Sequence, residues 1–272
     1  AGRVAATNFT LRGETCGVLT ASVEFTNKFL RATDIFARRD EGEIHVPALG
    51  YDIPGNLIWL TNATSTVAPM AVARAIGPQT TRTLTPYRFH QPPTARVNGR
   101  IPVRGTAGAD AHFAISGGPF SYWRFNVPQI AGDVHWTGEQ VTITNLLATF
   151  YGGQLRGNFG VVTSPGPSDE FHFQAEVVGA DLKPFMTDVV AKTNQSQGLV
   201  NCNLTITSAK TDDWKSWQGS GDINLRDGYL WDTPLFGYFS YLLNAVYPGL
   251  GSTRASAGQG TFTIHDSIIT SD

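Results

Sequence analysis

The chain has 272 residues, of which 41% are hydrophobic and only 15% charged, and its formal net charge is −2. This length allows one large β domain or two ordinary domains, and the composition excludes both a disordered chain and one made of membrane-spanning segments. No basic stripe is present to neutralise phosphates, so we predict no nucleic-acid partner.

The chain divides into three regions of different pattern. Residues 1–60 are predicted to form a β-hairpin repeat region. Residues 61–119 are predicted to be a loop-rich crossover, with a short helix at 68–77 and a Pro/Thr-rich loop at 77–99. Residues 120–272 return to strand patterns and form the third predicted region.

Strand signals in that third region alternate apolar and polar side chains. Within 171–177, Phe171, Phe173, Ala175 and Val177 oppose His172, Gln174 and Glu176, and 121–127, 203–207 and 222–228 follow the same pattern. A period of two with one apolar face predicts a sheet that buries one side and wets the other.

Two helices are predicted in the same region. The first lies near 181–193, with Asp181 as its N-cap. The second lies near 234–247, where Thr233 caps it, Pro234 fits the first turn and Pro248-Gly249 ends it. Helices with such broad apolar faces usually lie against a sheet or close its end.

Internal repeats indicate the architecture. Residues 21–46 align without a gap to 132–157, at an offset of 111, and each copy reads as strand, two-residue turn, strand and third strand. Residues 219–232 align to 258–271, with Asp227 and Asp266 predicted to lead tight turns. We therefore predict a mainly β fold, an elongated, curved antiparallel sheet of repeated hairpins that is groove-like or solenoid-like, with two or three short helices.

The repeat motifs resemble a known family. The stretch VHWTGEQVTITNLLATFYGGQLRGNF (134–159) is similar to the hairpin unit of the AsmA-like and TamB-like envelope proteins of Gram-negative bacteria. The stretches GSGDINLRDGYLWDTPLFGYFSYLL and GQGTFTIHDSIITSD resemble that family's C-terminal region, although Ser267 stands where a glycine is usual. The resemblance covers 120–272 well and 1–60 moderately.

This resemblance implies a periplasmic groove that carries phospholipid and supports outer-membrane lipid homeostasis. It also implies a tether to the inner membrane, and contacts with both membranes, through segments outside this chain, since the sequence reads as a fragment of something longer. Envelope protein partners are not identified. Candidate groove-lining residues are Phe113, Trp123, Phe125, Val134, Trp136, Phe171, Phe173, Ile223, Leu225, Phe262 and Ile264.

Catalytic and metal motifs are not predicted. The six histidines are scattered without H-x-H or H-x-x-x-H spacing, so we assign no metal ligands. The carboxylates do not converge in sequence, and no G-x-S-x-G, P-loop or G-x-G-x-x-G in a βαβ setting is present, so we predict no cofactor and no enzymatic activity. Asp212-Asp213 beside Trp214 and Trp217 favours a packing anchor over a sugar platform. Cys16 and Cys202 are interpreted as isolated thiols, with a long-range disulfide as the alternative.

Two other functions fit the same strand pattern. The first is a structural or adhesive β-repeat protein whose apolar side chains pack into a solid core. The second is a carbohydrate-active β-sandwich, which requires a cleft with paired carboxylates. Alternation alone does not separate a groove from a sandwich, because both bury one face.

Overall fold

A computed structural model describes residues 1–11, 13–39, 42–76, 81, 84–85, 87–122, 124–164, 168–190, 197–229, 257–266 and 268–271. Strands dominate, at 75% of the described residues. The strands are β1 (Gly2–Leu11), β2 (Glu14–Thr26), β3 (Phe29–Arg39), β4 (Gly42–Asp52), β5 (Leu57–Ser65), β6 (Tyr87–Phe89), β7 (Thr94–Pro102), β8 (Asp110–Gly117), β9 (Phe120–Tyr122), β10 (Phe125–Val127), β11 (Gln129–Thr137), β12 (Gln140–Phe150), β13 (Gly153–Val162), β14 (Glu170–Asp181), β15 (Gln197–Lys210), β16 (Asp213–Tyr229), β17 (Ala257–His265) and β18 (Ile268–Ser271).

Fifteen of these strands form one open antiparallel sheet in the order β1-β2-β3-β4-β5-β7-β8-β11-β12-β13-β14-β15-β16-β17-β18. Each strand pairs with the next one along the chain, apart from β6, β9 and β10, which form a separate sheet in the order β10-β9-β6. Short hairpin connections account for much of this order, as from β1 to β5 and from β11 to β14, because they return the chain beside the strand it has just left. The predicted mainly β, antiparallel fold is confirmed.

The repeat at offset 111 extends to backbone detail. β3 and β12 begin and end at equivalent positions, and Asn27 before β3 has φ 50° where Gly138 before β12 has φ 57°. Asp34 and Asn145, also 111 residues apart, have φ 52° and 53° beside equivalent register shifts. Such bulges bend a strand and increase its twist, so both copies bend at the same place.

The second repeat holds in only one copy. Asp266 leads a tight turn into β18, as predicted. The turn predicted at Asp227 is wrong, because β16 continues to Tyr229 and Asp227, with φ 54°, lies where the pairing with β15 shifts register. An aspartate that tolerates the left-handed conformation suits either a turn or a bulge, and only the paired strand decides between them.

Two helices accompany the described strands, α1 (Pro69–Ile76) and α2 (Leu182–Val190). The predicted N-cap of α2 is confirmed, since the backbone N–H of Lys183 donates to Asp181 Oδ1 at 2.9 Å. α2 buries Leu182 and Met186 against Leu225 of the sheet. The helix predicted near 234–247 lies outside the described residues.

Two sequence predictions fail in the middle of the chain. The single strand predicted over 121–127 is instead the two short strands β9 and β10, which pair with each other. The range 61–119 is not mainly crossover, because β7, β8 and the end of β5 are neighbouring strands of the large sheet. The prolines and glycines between these strands are typical of loops. The strands with which β7 and β8 pair cannot be identified from the residues of one short segment.

The fold buries less surface than a compact protein of the same mass. The accessible surface of the chain is 16993 Å², whereas a compact monomer of this mass exposes about 11,500 Å². Many of the buried apolar residues are alanines, and Ile206 is the largest fully buried side chain among the described residues. A largely single-layer sheet explains both observations, since within the described residues only a few strands have a helix or a second β-layer against one face.

The two cysteines are free thiols on β2 and β15, with nine strands of the sheet between them. Neighbouring strands are about 4.8 Å apart, so the two sulfur atoms lie far beyond disulfide reach. The isolated-thiol interpretation is therefore the right one within a single chain, and burial raises the pKa of Cys202.

Glu14 joins α1 to the sheet. It is 8% exposed, receives a hydrogen bond from Arg39 at 2.9 Å and is also paired with Arg74 of α1. The hydrogen bond from Arg74, followed by that from Arg39, lowers the pKa of this carboxyl below its ordinary value. Because the folded-state pKa is lowered, this contribution to stability is present above the unfolded pKa and is lost as the pH falls through the folded pKa.

We expect Glu14→Gln to lower the free energy of unfolding at pH 7 by about 1–3 kcal/mol, toward the lower end because Arg74 is half exposed. Urea titrations at pH 7 and below pH 4 test this, and the difference from the wild type should shrink at the lower pH. The control is Glu43→Gln, whose partner Arg38 is exposed. An equal loss in both variants at pH 7 contradicts the assignment.

Candidate functional site

The sheet carries one continuous apolar face. Residues that pair directly across antiparallel strands lie on the same face, so the pairing register shows which side chains are neighbours. We name the principal line of such neighbours the central row. It consists of Val97, Phe113, Val134, Ile143, Phe159, Phe173, Ile206, Gly219, Ile264 and Ile269.

The central row crosses ten neighbouring strands, from β7 to β18. At about 4.8 Å between strands it is roughly 43 Å long, which exceeds the thickness of a bilayer's hydrocarbon core, about 30 Å. Gly219 does not interrupt it, because the Ile206 Cδ1 and the Thr205 carbonyl oxygen lie against the place that a Cβ at position 219 would take, with the Ile206 atom 2.9 Å from it. The row therefore presents an unbroken apolar line.

A parallel row lies two residues away from the central row on β7 to β14 and three residues away on β15, and it continues across β2 to β5. It contains Val23, Ala32, Leu49, Leu60, Gly99, Ala111, Trp136, Val141, Val161, Phe171 and Ala209. The Trp136 indole N–H donates to the Gly138 carbonyl at 2.8 Å, which fixes the ring over the adjacent hairpin turn. The two rows together make the apolar face wider than one side chain.

Aromatic rings concentrate on β13, β14 and β16, with β15 between the last two strands. Phe171 and Phe173 stack with centroids 6.4 Å apart and 6° between their planes, and Phe159 lies 6.0 Å from Phe171. Trp217 meets Phe171 edge-on at 5.4 Å, so Trp217 acts as a packing anchor, as predicted. These side chains are only half-buried, because they contact one another while their outer surfaces remain open.

The opposite face is predominantly polar, although Leu147, Val162 and Val178 are exposed on it. On β14 the side chains of His172, Gln174 and Glu176 are exposed, whereas their alternating apolar neighbours are half-buried. A shallow depression of about 640 Å³ lies on this face, and the residues around it include Arg156, Asn158, Gln174, Glu176, Asn203 and Thr205. The strands therefore separate an apolar face from a hydrated one, as the alternation predicts.

Few described elements lie across the faces of the large sheet. α2 contacts β14 and β15, β10 contacts β12, and α1 contacts β2. In the described part of the chain, the other substantial contacts of the sheet join neighbouring strands. The central row thus has no second β-layer against it within the described residues.

The structure brings nine of the eleven candidate residues to the apolar face. Phe113, Val134, Phe173 and Ile264 lie in the central row, Trp136 and Phe171 in the parallel row, and Ile223, Leu225 and Phe262 on neighbouring positions of the same face. Leu225 is covered by α2. Phe125 is separate, on β10, where it contacts Phe150 and Phe185, and Trp123 lies outside the described residues.

Sequence reasoning missed one polar cluster. Asp110 and His112 on β8 and His135 on β11 bring their ligand atoms within 4.8 Å of one another. The signal was the D-x-H spacing, which places both side chains on one face of a strand. The third member was not predictable without the register that sets His135 directly opposite His112.

Comparisons with known proteins add no family to this geometry. No protein-family model, no curated protein and no solved structure matches the chain. Within the described residues, no helix combines the length and the apolar composition that crossing a bilayer requires. The AsmA-like resemblance therefore stays a prediction.

Proposed function

We propose that this chain is a non-enzymatic segment of a cell-envelope protein that binds and guides phospholipid acyl chains along the apolar face of its sheet. The observation that carries the proposal is the central row, which crosses ten strands with no second β-layer against it in the described residues. The resemblance to AsmA-like proteins adds the periplasmic setting, the inner-membrane tether and the role in outer-membrane lipid homeostasis.

Acyl chains suit this face because they cover apolar side chains that are otherwise in contact with water. Half-buried phenylalanine, valine and isoleucine side chains remain in contact with water, and covering them releases about 25 cal/mol for each Å² removed from solvent. The lipid gains similarly, at about 0.8 kcal/mol for each methylene group buried. A passive pathway needs only this exchange, since the apolar face replaces the bilayer interior for a lipid that moves down a gradient.

The phospholipid head groups can remain in water at the edge of this sheet. Cross-strand rows on the polar face, such as Arg156, Glu176, Asn203 and Asp222, do not compete for acyl chains. An open sheet leaves the ends of its strands in water, so a charged head group does not have to be buried at the cost of several kcal/mol. Acyl chains on one face and head groups at the strand ends are therefore compatible.

The test is native mass spectrometry with lipid extraction, on chain purified from bacteria. We expect several phospholipids per wild-type chain and none on Phe173→Asp, because the charge interrupts the central row beside Phe159 and Phe171. Phe173→Leu keeps the row apolar and should keep the lipid. His172→Asp introduces the same charge one residue away, on the hydrated face, and is the matched control.

The outcomes separate the proposal from its rivals. Loss of lipid with unchanged circular dichroism in Phe173→Asp, and retention in His172→Asp, support acyl-chain binding. A lipid-free wild type with one cooperative thermal transition, or unfolding of Phe173→Asp, assigns these side chains to the solid core of a structural repeat protein. Phe125 is unsuited to this test, since its contacts with Phe150 and Phe185 make Phe125→Asp destabilising in either case.

A further inference from the structure

We propose that Asp110, His112 and His135 form a transition-metal site, best suited to Zn²⁺, on the polar face of the sheet. Two imidazoles and a carboxylate are a donor set that zinc accepts, with a fourth position left for water or another ligand. This site is separate from the apolar face and does not depend on the proposed lipid binding.

The backbone places the three ligands rigidly. Asp110 and His112 are two residues apart on β8 and therefore project from the same face. His135 on β11 pairs directly with His112, which puts their Cβ atoms about 4.5–5.5 Å apart. Sites on strands hold their ligands more accurately than sites on loops, and here both strands lie inside the large sheet rather than at its edge.

The ligand atoms already converge. His135 Nε2 lies 3.1 Å from Asp110 Oδ1, close to the separation of about 3.3 Å between two ligands bound tetrahedrally at about 2.0–2.1 Å. The His112 and His135 rings are stacked, with centroids 3.9 Å apart and 13° between their planes. A shared ion requires at least one ring to turn about its χ2, so that both nitrogens point at the same position.

The surroundings allow that movement. A depression of about 350 Å³ adjoins both histidines, and the residues around it include Arg96, Asn98, Asp133, Thr142 and Thr144. Asn98, Asp133, Thr142 and Thr144 offer oxygen atoms to a metal-bound water, whereas Arg96 offers only N–H donors. The Thr137 hydroxyl lies 2.8 Å from His135 Nε2, so Thr137 can turn to support a ligand once the metal takes that nitrogen.

Arg100 is the competing partner. Its guanidinium donates to Asp110 Oδ2 at 3.2 Å, on the carboxylate oxygen that does not face His135. The ion pair is exposed on both sides and therefore weak, and it leaves Oδ1 directed at the imidazole. Removing Arg100 should strengthen metal binding, whereas a purely structural ion-pair network predicts only lost stability.

Isothermal titration of the metal-stripped full chain with Zn²⁺, and visible absorption with Co²⁺ as a spectroscopic substitute, test the site. We expect one ion per chain and tetrahedral Co²⁺ bands. His112→Ala and His135→Ala should each weaken binding by at least about tenfold, and Arg100→Gln should strengthen it. His172→Ala, an exposed histidine on the same face outside the cluster, is the control.

Two results would overturn the proposal. One is the absence of stoichiometric binding in the wild type and in Arg100→Gln. The other is binding that survives both histidine substitutions, which would move the metal elsewhere on the chain. Circular dichroism of each variant separates loss of ligand from loss of fold, and His112→Gln, which keeps the side chain polar and of similar size, serves where alanine destabilises the sheet.

Discussion

Replacing Gly99 by valine is expected to destabilise the sheet by about 3 kcal/mol or more. Gly99 on β7 has φ 122°, a conformation that L side chains rarely adopt. A Cβ there would also meet the Asp110 carbonyl and would lie 2.8 Å from the Ala111 Cα. Backbone strain costs about 1–3 kcal/mol by itself, and a clash with the neighbouring backbone adds to it because β8 is held by strands on both sides.

Urea denaturation followed by circular dichroism measures this loss. The control is Gly138→Asn, since Gly138 has φ 57° in an open turn and the equivalent position of the repeat is Asn27 at φ 50°. Asparagine tolerates that conformation, so the control should change the free energy of unfolding by less than about 1 kcal/mol. A Gly99→Val variant as stable as the control would show that β7 and β8 are not paired as described.

Replacing Met186 by aspartate is expected to release α2 from the sheet at a cost of about 3 kcal/mol. Met186 is 4% exposed and packs with Leu182 and Leu225, so a carboxylate there is buried without a partner. The helix has further attachments, since Asp188 accepts hydrogen bonds from Tyr151 at 2.8 Å and Asn126 at 2.7 Å. Those bonds are polar and less sensitive to the substitution than the apolar contact.

Hydrogen exchange resolved by peptide distinguishes local release from global unfolding. We expect 182–190 to lose protection in Met186→Asp while 171–177 stays protected, because the strands on both sides of β14 maintain its hydrogen bonds. Lys183→Asp, on the exposed side of the same helix, should change neither segment. Loss of protection in both segments would mean that α2 and the central sheet unfold as one unit.

The apolar and polar faces were predictable from the sequence because the period of two is a local property. Phe171 and Phe173 alternate with His172 and Gln174, and no long-range information is needed to place them on opposite faces. The repeat at offset 111 was also detectable from the gapless alignment, and the structure gives its predicted turn residues Asn27 and Gly138 the same left-handed conformation. The N-cap at Asp181 is local in the same way.

The incorrect predictions concern strand pairing, which depends on residues far apart in the chain. The strand predicted over 121–127 breaks in two because β9 and β10 pair with each other instead of joining the large sheet, and alternation carries no information about partners. Asp227 became a bulge rather than a turn because β15 continues alongside it. The strands β7 and β8 were hidden by the glycines and prolines around them.

Within this protein, the sequence alone determined which side chains of a strand share a face, the turns after Thr26 and Thr137 and at Asp266, and the mainly β class. Only the tertiary structure decided how many strands join one sheet, that the described sheet lacks a second β-layer over its central row, and that His112 meets His135 beside Asp110. The physical reason is that side-chain alternation is set by each strand's own backbone. Register and layering are set by contacts between residues far apart in the chain.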